Sequence, residues 1–291
     1  MSAPATGCWV RAGDGHRFCV LQVEPAQPRA RLLWLPALGV AARHYLPLAQ
    51  VLAAVGIAVH LHEWRGNGSS SLRPSRTQDW GYRQILQHDL AASEAAIVEA
   101  ADTGPATPLI IGGHSLGGQL ACLHAGRSAQ PFQHLWLVAT GTPDWRSFPR
   151  PRAWLLPLAY HFLDGVARLH GTLPGRRLGF GGTEARGLIH DWTRVGLRGR
   201  YAATGMQDDL EGVLARVRAQ ASAVLLRQDW LAPPGSLHGL LAKMPGVRAD
   251  VRVLDASTLG TPADHFAWMR RPDAVAASLC RTLDTAFSQK R

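Results

Sequence analysis

Two short runs with a β-like pattern, Cys8–Ala12 and Arg17–Val23, flank a Gly13-Asp14-Gly15 turn and predict a hairpin. Beyond it the polar alternation disappears. Arg31–Leu35, Ile57–Leu61, Leu109–Ile111, Leu135–Ala139, Ala223–Leu226 and Val251–Leu254 are short apolar runs, as strands covered on both faces require. Between them lie segments of helical period: Arg43–Val55 (stopped by Gly56), Tyr82–Ala100, Leu116–Ala129, a stretch near Gly235–Lys243, and a closing one near Pro272–Phe287. Strand and helix alternate in this order. The pattern predicts an α/β chain with a mostly parallel, eight-stranded sheet and helices on both faces.

The alternation breaks at Thr142 and resumes near Ser222. The interval is rich in Arg, Trp, Gly and Pro and shows no clear strand. It divides the chain into a core, residues 1–141 and 206–291, and an insertion, residues 142–205. Long insertions between core elements commonly form lids or binding segments. The apolar segment Trp154–Leu163 and the amphipathic segment Ile189–Val195 predict two lid helices. The first could equally serve as ordinary packing or as a hydrophobic wall for an acyl group.

The chemistry concentrates in Gly113-His114-Ser115-Leu116-Gly117, a G-x-S-x-G pattern between an apolar strand and a small-residue helix. The flanking glycines permit a sharp turn that exposes the serine hydroxyl. The helix that follows points N–H groups at the nucleophile and favours developing negative charge. A serine hydroxyl needs a base. This architecture demands the order serine, acid, histidine. His265, in Asp264-His265-Phe266 after the last strand, stands where the base belongs. Asp229, after the strand Ala223–Leu226, is the leading acid, with Asp255 and Asp264 as rivals. A second oxyanion donor should come from the loop after Arg31–Leu35. There the N–H of Leu38 would join that of Leu116, with Ala37 the nearby alternative.

The chain resembles the α/β-hydrolase fold superfamily. More narrowly, it is similar to a bacterial group of predicted serine hydrolases and esterases with a Pro-Ala-hydrophobic-Gly segment at the oxyanion loop. The matching residues are Pro36-Ala37-Leu38-Gly39, Arg65-Gly66-Asn67-Gly68-Ser69, Trp80-Gly81-Tyr82, Gly113 to Gly118, Asp229 and Asp264-His265. The resemblance spans about residues 8–140 and 222–290 and leaves the insertion uncovered. One departure is Glu63-Trp64-Arg65-Gly66, where relatives often carry Asp-x-Arg-Gly; that loop is structural in relatives. The resemblance implies hydrolysis of a carboxylic ester or thioester, with no cofactor. An acyltransferase would use the same acyl-enzyme.

Charge widens the choice before narrowing it. The 291 residues hold 31 Lys and Arg against 21 Asp and Glu, a net charge of +10, and only Lys243 and Lys290 are lysines. That balance invites a nucleic-acid reading, but no helix-turn-helix, zinc finger or aromatic RNA-binding motif accompanies it. Ten arginines against four acids, a net of +6, lie between residues 142 and 205. The excess therefore reads as a basic lid that steers an anionic substrate or touches an anionic membrane. His60, His62 and Glu63 lack a third ligand and metal-site spacing, so no metal is expected. His114 reads as a packing and orientation residue. Cys8, Cys19, Cys122 and Cys280 have neither disulfide nor zinc spacing. With 46% hydrophobic residues and no basic segment leading into an apolar run, the expectation is a folded cytoplasmic protein without a transmembrane segment.

Overall fold

The computed structural model describes residues 4–102, 107–178 and 181–288. The chain opens with β1 (Ala5–Arg11), β2 (Arg17–Val23) and β3 (Ala30–Leu35). It continues through α1 (Leu46–Ala54), β4 (Ile57–Leu61), α2 (Tyr82–Gln84) and α3 (Leu90–Asp102) to β5 (Leu109–His114). After α4 (Leu116–Arg127) and β6 (His134–Val138) come α5 (Arg152–His170), β7 (Thr172–Pro174), α6 (Gly175–Leu178), β8 (Thr183–Ala185) and α7 (Arg186–Arg198). The remainder is α8 (Leu210–Ala215), β9 (Gln220–Leu226), α9 (Pro234–Leu241), β10 (Arg248–Leu254), α10 (Ala256–Leu259) and α11 (Asp273–Ser288).

Eight strands form one sheet in the order β1-β2-β4-β3-β5-β6-β9-β10. Strand β2 pairs antiparallel with β1 and β4, and every other pairing in this sheet is parallel. The predicted eight-stranded α/β architecture is the observed one.

The apolar runs explain the layering. Successive side chains of a strand point to opposite faces. Leu33, Leu35, Ile111, Leu135 and Leu137 enter one buried cluster with α3 and α4, and Leu32, Trp34, Ile110, Trp136 and Val138 enter another with α1 and α11. Strands β3 and β5 have no exposed residue. Each fully buried Leu, Ile or Val contributes about 1.5–3 kcal/mol by leaving water. This double burial makes the C-terminal ends of β3, β5, β6 and β9 a rigid rim on which loops can place chemistry.

The predicted helix Tyr82–Ala100 is divided. A wider π turn, Ile85–Asp89, separates α2 from α3. Asp89, at the end of this turn, is fully buried and accepts from Arg65 Nε and Nη2 at 2.6 and 2.7 Å, while His16 Nδ1 lies 2.9 Å from it. Arg65 also reaches Asp14. The Glu63 carboxylate accepts from the backbone N–H groups of Ala42 and Ser69 at 3.1 and 3.4 Å. The loop Glu63-Trp64-Arg65-Gly66 thus ties the start of the chain to the sheet.

Residues 142–205 carry two short strands that their composition does not announce. Strands β7 and β8 pair antiparallel as a three-residue ribbon, too short to show a period. Helices α5 and α7 pack together through Tyr160 and Trp192, whose rings are edge-on at 5.2 Å. Polar bonds fix them within residues 142–205 and to the rest of the chain. The Tyr160 hydroxyl donates to Pro143 O at 2.6 Å. Buried Asp191 accepts from the Tyr82 N–H at 3.0 Å and from Thr204 Oγ1 at 2.6 Å. Helix α8 is also absent from the sequence reading; it covers fewer than two turns and lies against α4.

Candidate active site

Ser115 sits between β5 and α4 with φ 56° and ψ −121°. A non-glycine residue in this region is strained and persists only where its surroundings hold it. Here the Ser115 N–H donates to Val138 O at 3.1 Å, and Thr140 Oγ1 donates to the same carbonyl at 2.9 Å. The turn is therefore clamped to the end of β6. A Cβ at Gly113 would stand 2.5 Å from the backbone of Gly117, and a Cβ at Gly117 would collide with the Leu35 carbonyl. The two glycines of the motif let β5, α4 and the end of β3 converge.

Asp229 lies in the turn after β9, its carboxylate fully enclosed. Oδ1 accepts from the N–H groups of Leu231 and Ala232 at 2.8 and 3.2 Å. Oδ2 accepts from His265 Nδ1 at 2.7 Å. All three contacts are donors to the carboxylate, so the imidazole carries its proton on Nδ1 and leaves Nε2 free. Gln228 and Ala263 brace the two loops through paired hydrogen bonds of 2.9 Å.

The rival carboxylates are occupied elsewhere. Asp255 caps α10, accepting from Thr258 N–H and Oγ1 and from Ser257 Oγ. These donors hold its carboxyl down to about 2. Asp264 accepts from the N–H groups of Phe266 and Ala267 and shapes the loop around His265.

A second polar chain reaches the rim from below. The Ala37 N–H donates to the Tyr45 hydroxyl at 2.9 Å, and Tyr45 lies 2.8 Å from His114 Nδ1. With its oxygen already accepting, the phenol donates to His114. Burial pushes the Tyr45 pKa up, so it remains a phenol. Burial, then the proximity of His265, drives the His114 pKa well below its ordinary value. His114 is a neutral ring packed 4.7 Å from the His265 ring, not a second base. The N–H of Ala37, the alternative expected as an oxyanion donor, is thus spent on Tyr45. The N–H groups of Leu38 and Leu116 donate to no described residue. Sequence reasoning missed Tyr45: it lies 69 positions from His114, and no local pattern marks the contact.

Ser115, His265, Leu38 and Leu116 line one cavity of about 310 Å³. Its opposite wall is Leu156, Ala159, Tyr160 and Leu163 of α5, with Trp192 of α7. Among the described residues, no Asp, Glu, Lys or Arg lines it, so none of the ten arginines of residues 142–205 does. Glu184 stands behind the rim, against Gly39. Burial raises its pKa to about 7 despite a hydrogen bond from the Gly182 N–H and the nearby Arg176. His60 faces Glu24, and His62 bonds to Ser93 with burial lowering its pKa to about 3. No group of three or more His, Cys, Asp or Glu able to hold a metal occurs among the described residues.

A serine on the strand-to-helix turn of such a sheet defines an α/β hydrolase. The family model Hydrolase_4, serine aminopeptidase S33, matches residues 26–177, just over half of the chain, and the chain belongs to that family. A monoglyceride lipase homolog of Monkeypox virus is 25% identical over 137 residues, covering 46% of this chain and 47% of that protein. The chain thus spans about half the length of this curated relative. Two solved structures share the fold. A hydrolase from Pseudomonas aeruginosa PA01 superposes with a TM-score of 0.61 at 15% identity, over 96% of this chain and 98% of its own. The α/β hydrolase GrgF from Penicillium sp. sh18 gives 0.62 at 17% identity, over 97% of each chain.

Proposed function

We propose that this α/β hydrolase is a serine hydrolase that cleaves a carboxylic ester or thioester with an apolar acyl group. One observation carries the reading. Ser115 and the Asp229-bonded His265 share a cavity whose lining includes no charged side chain. His265 Nε2 takes the proton of Ser115 Oγ as the oxygen attacks the acyl carbon. The N–H groups of Leu38 and Leu116 receive the oxyanion. The tetrahedral intermediate collapses, His265 returns the proton to the leaving oxygen or sulfur, and an acyl-Ser115 remains. Water then gives its proton to His265, attacks the acyl carbon and releases the acid. Asp229 holds the imidazole orientation and stabilises the imidazolium.

The family description also names a peptidase. Holding a peptide's free amino terminus calls for a carboxylate in the cavity, and none lines it. The apolar wall of α5 favours an acyl chain instead. Fluorophosphonate labelling tests the mechanism: the wild-type protein should label, and Ser115→Ala should not. Ser115→Ala should also lose roughly 10⁴-fold or more of hydrolysis of a p-nitrophenyl ester. Equal labelling of both proteins, or no labelling of either, sinks the proposal.

A further inference from the structure

Helix α5 is apolar on two faces. At about 100° per residue, its inward arc carries Ala153, Tyr160, Leu163 and Ala167, which pack on the core or line the cavity. A second arc of about 100° carries Trp154, Leu155, Leu158, Phe162 and Leu169, each between 59% and 70% exposed. Across the cavity mouth, Leu178, Trp230 and Phe266 line the cavity and are also exposed. Of the eleven exposed large apolar side chains among the described residues, eight lie on the outer arc of α5 or at the cavity rim. Scattered exposed apolar residues need no explanation, but a contiguous patch marks an interaction site.

The charges around the patch say what it meets. The Arg150 guanidinium lies over the Trp154 ring at 5.3 Å, and that of Arg152 lies over Trp230 at 5.5 Å. Neither arginine forms an ion pair with an acid among the described residues, and both are exposed. An arginine stacked on a rim tryptophan keeps its N–H groups free for an anion. The surrounding insertion has a net charge of +6. Two copies of the chain meeting through this face would bring like charges together.

We propose that the outer face of α5 and the cavity rim dock on an anionic lipid bilayer. The helix would lie flat in the headgroup region, with Leu155, Leu158 and Phe162 reaching the acyl boundary and Arg150 and Arg152 on phosphates. The cavity mouth would then open onto the membrane, and an acyl substrate would reach Ser115 without crossing water. Docking stands apart from the hydrolase reading; the delivery of substrate rests on it.

Sedimentation of the full chain with vesicles of phosphatidylcholine, with and without phosphatidylglycerol, tests the docking. The protein should pellet with the anionic vesicles and be released by salt. Leu155→Ser, Leu158→Ser and Phe162→Ser combined should weaken partitioning roughly 100-fold. Arg150→Gln with Arg152→Gln should weaken it roughly 30-fold on anionic vesicles alone. Neither set should change hydrolysis of a soluble short-chain ester, which also reports an intact fold. Three results overturn the proposal: no pelleting with anionic vesicles, undiminished pelleting of both variants, or a concentration-dependent dimer that the triple variant abolishes. Ser115→Ala should pellet like wild type, so failure of the hydrolase reading and failure of docking are told apart.

Discussion

The two walls of the Ser115 cavity are built by different physics. On the core wall, backbone and side chains are tied by directional bonds: Ser115 to β6, Asp229 to two N–H groups and His265, Ala37 to Tyr45 to His114. On the opposite wall, α5 offers Leu156, Ala159 and Leu163, whose apolar side chains make contact by shape alone. Bonded geometry holds reacting atoms to a fraction of an ångström, which proton transfer requires. Apolar packing tolerates substitution of similar volume. Changes on the core wall should therefore alter whether the reaction occurs, and changes on the α5 wall should alter which acyl group it accepts.

The strongest challenge to that division is Asp229→Asn. Losing the carboxylate removes the fixed tautomer of His265, and kcat should fall by roughly 10³–10⁴-fold with KM little changed. Steady-state kinetics on a p-nitrophenyl ester reads the split. A fall of less than tenfold would show that the bond to His265 is not used in the chemistry.

Glu184→Gln probes the seam between the walls. The Glu184 pKa rises from its ordinary 4.5 to about 7 in the folded protein. A raised carboxyl favours folding most when protonated, so its ionisation penalty is absent below about pH 4.5 and complete above about pH 7. The variant should gain stability over wild type across that window, on the order of 3 kcal/mol at the upper end. Denaturant midpoints at several pH values measure it; a pH-independent difference contradicts the assignment.

Tyr45→Phe should cost about 1–3 kcal/mol, because the Ala37 N–H and His114 Nδ1 both lose a buried partner. It should also lower kcat, since the loop that carries Leu38 loses its tether. Thermal melts and kinetics together check this, and an unchanged Tm rules it out.

The smallest expected effect lies on the α5 wall. Leu156→Ala and Leu163→Ala lengthen the cavity and should shift kcat/KM toward longer acyl esters by roughly tenfold relative to short ones. A graded series of p-nitrophenyl esters reads the ratio. An equal loss on every chain length would mean that α5 contributes packing and no selectivity.

What was legible in the chain was what is local. The apolar runs of β3, β5, β6 and β9 betray strands buried on both faces, and the G-x-S-x-G pattern marks its turn because only glycine fits at two flanking positions. Residue order also points to His265. The strands β7 and β8, the π turn at Asp89 and the short helix α8 left no periodic trace, since each is about one turn or a few residues long. Those features depend on distant partners, as Asp89 does on Arg65 and His16.

The sequence by itself determined an α/β hydrolase chain, the turn that presents Ser115, and a short list of partners. Only the tertiary structure shows that the carboxylate meeting His265 is that of Asp229, while those of Asp255 and Asp264 accept from their own loops; the three do not differ in local pattern. It likewise gave the Ala37 N–H to Tyr45 and turned half of the apolar face of α5 toward solvent. Hydrophobic period and motif spacing are properties of neighbouring residues. Hydrogen-bond partners and exposure are properties of the folded surface, which only long-range packing creates.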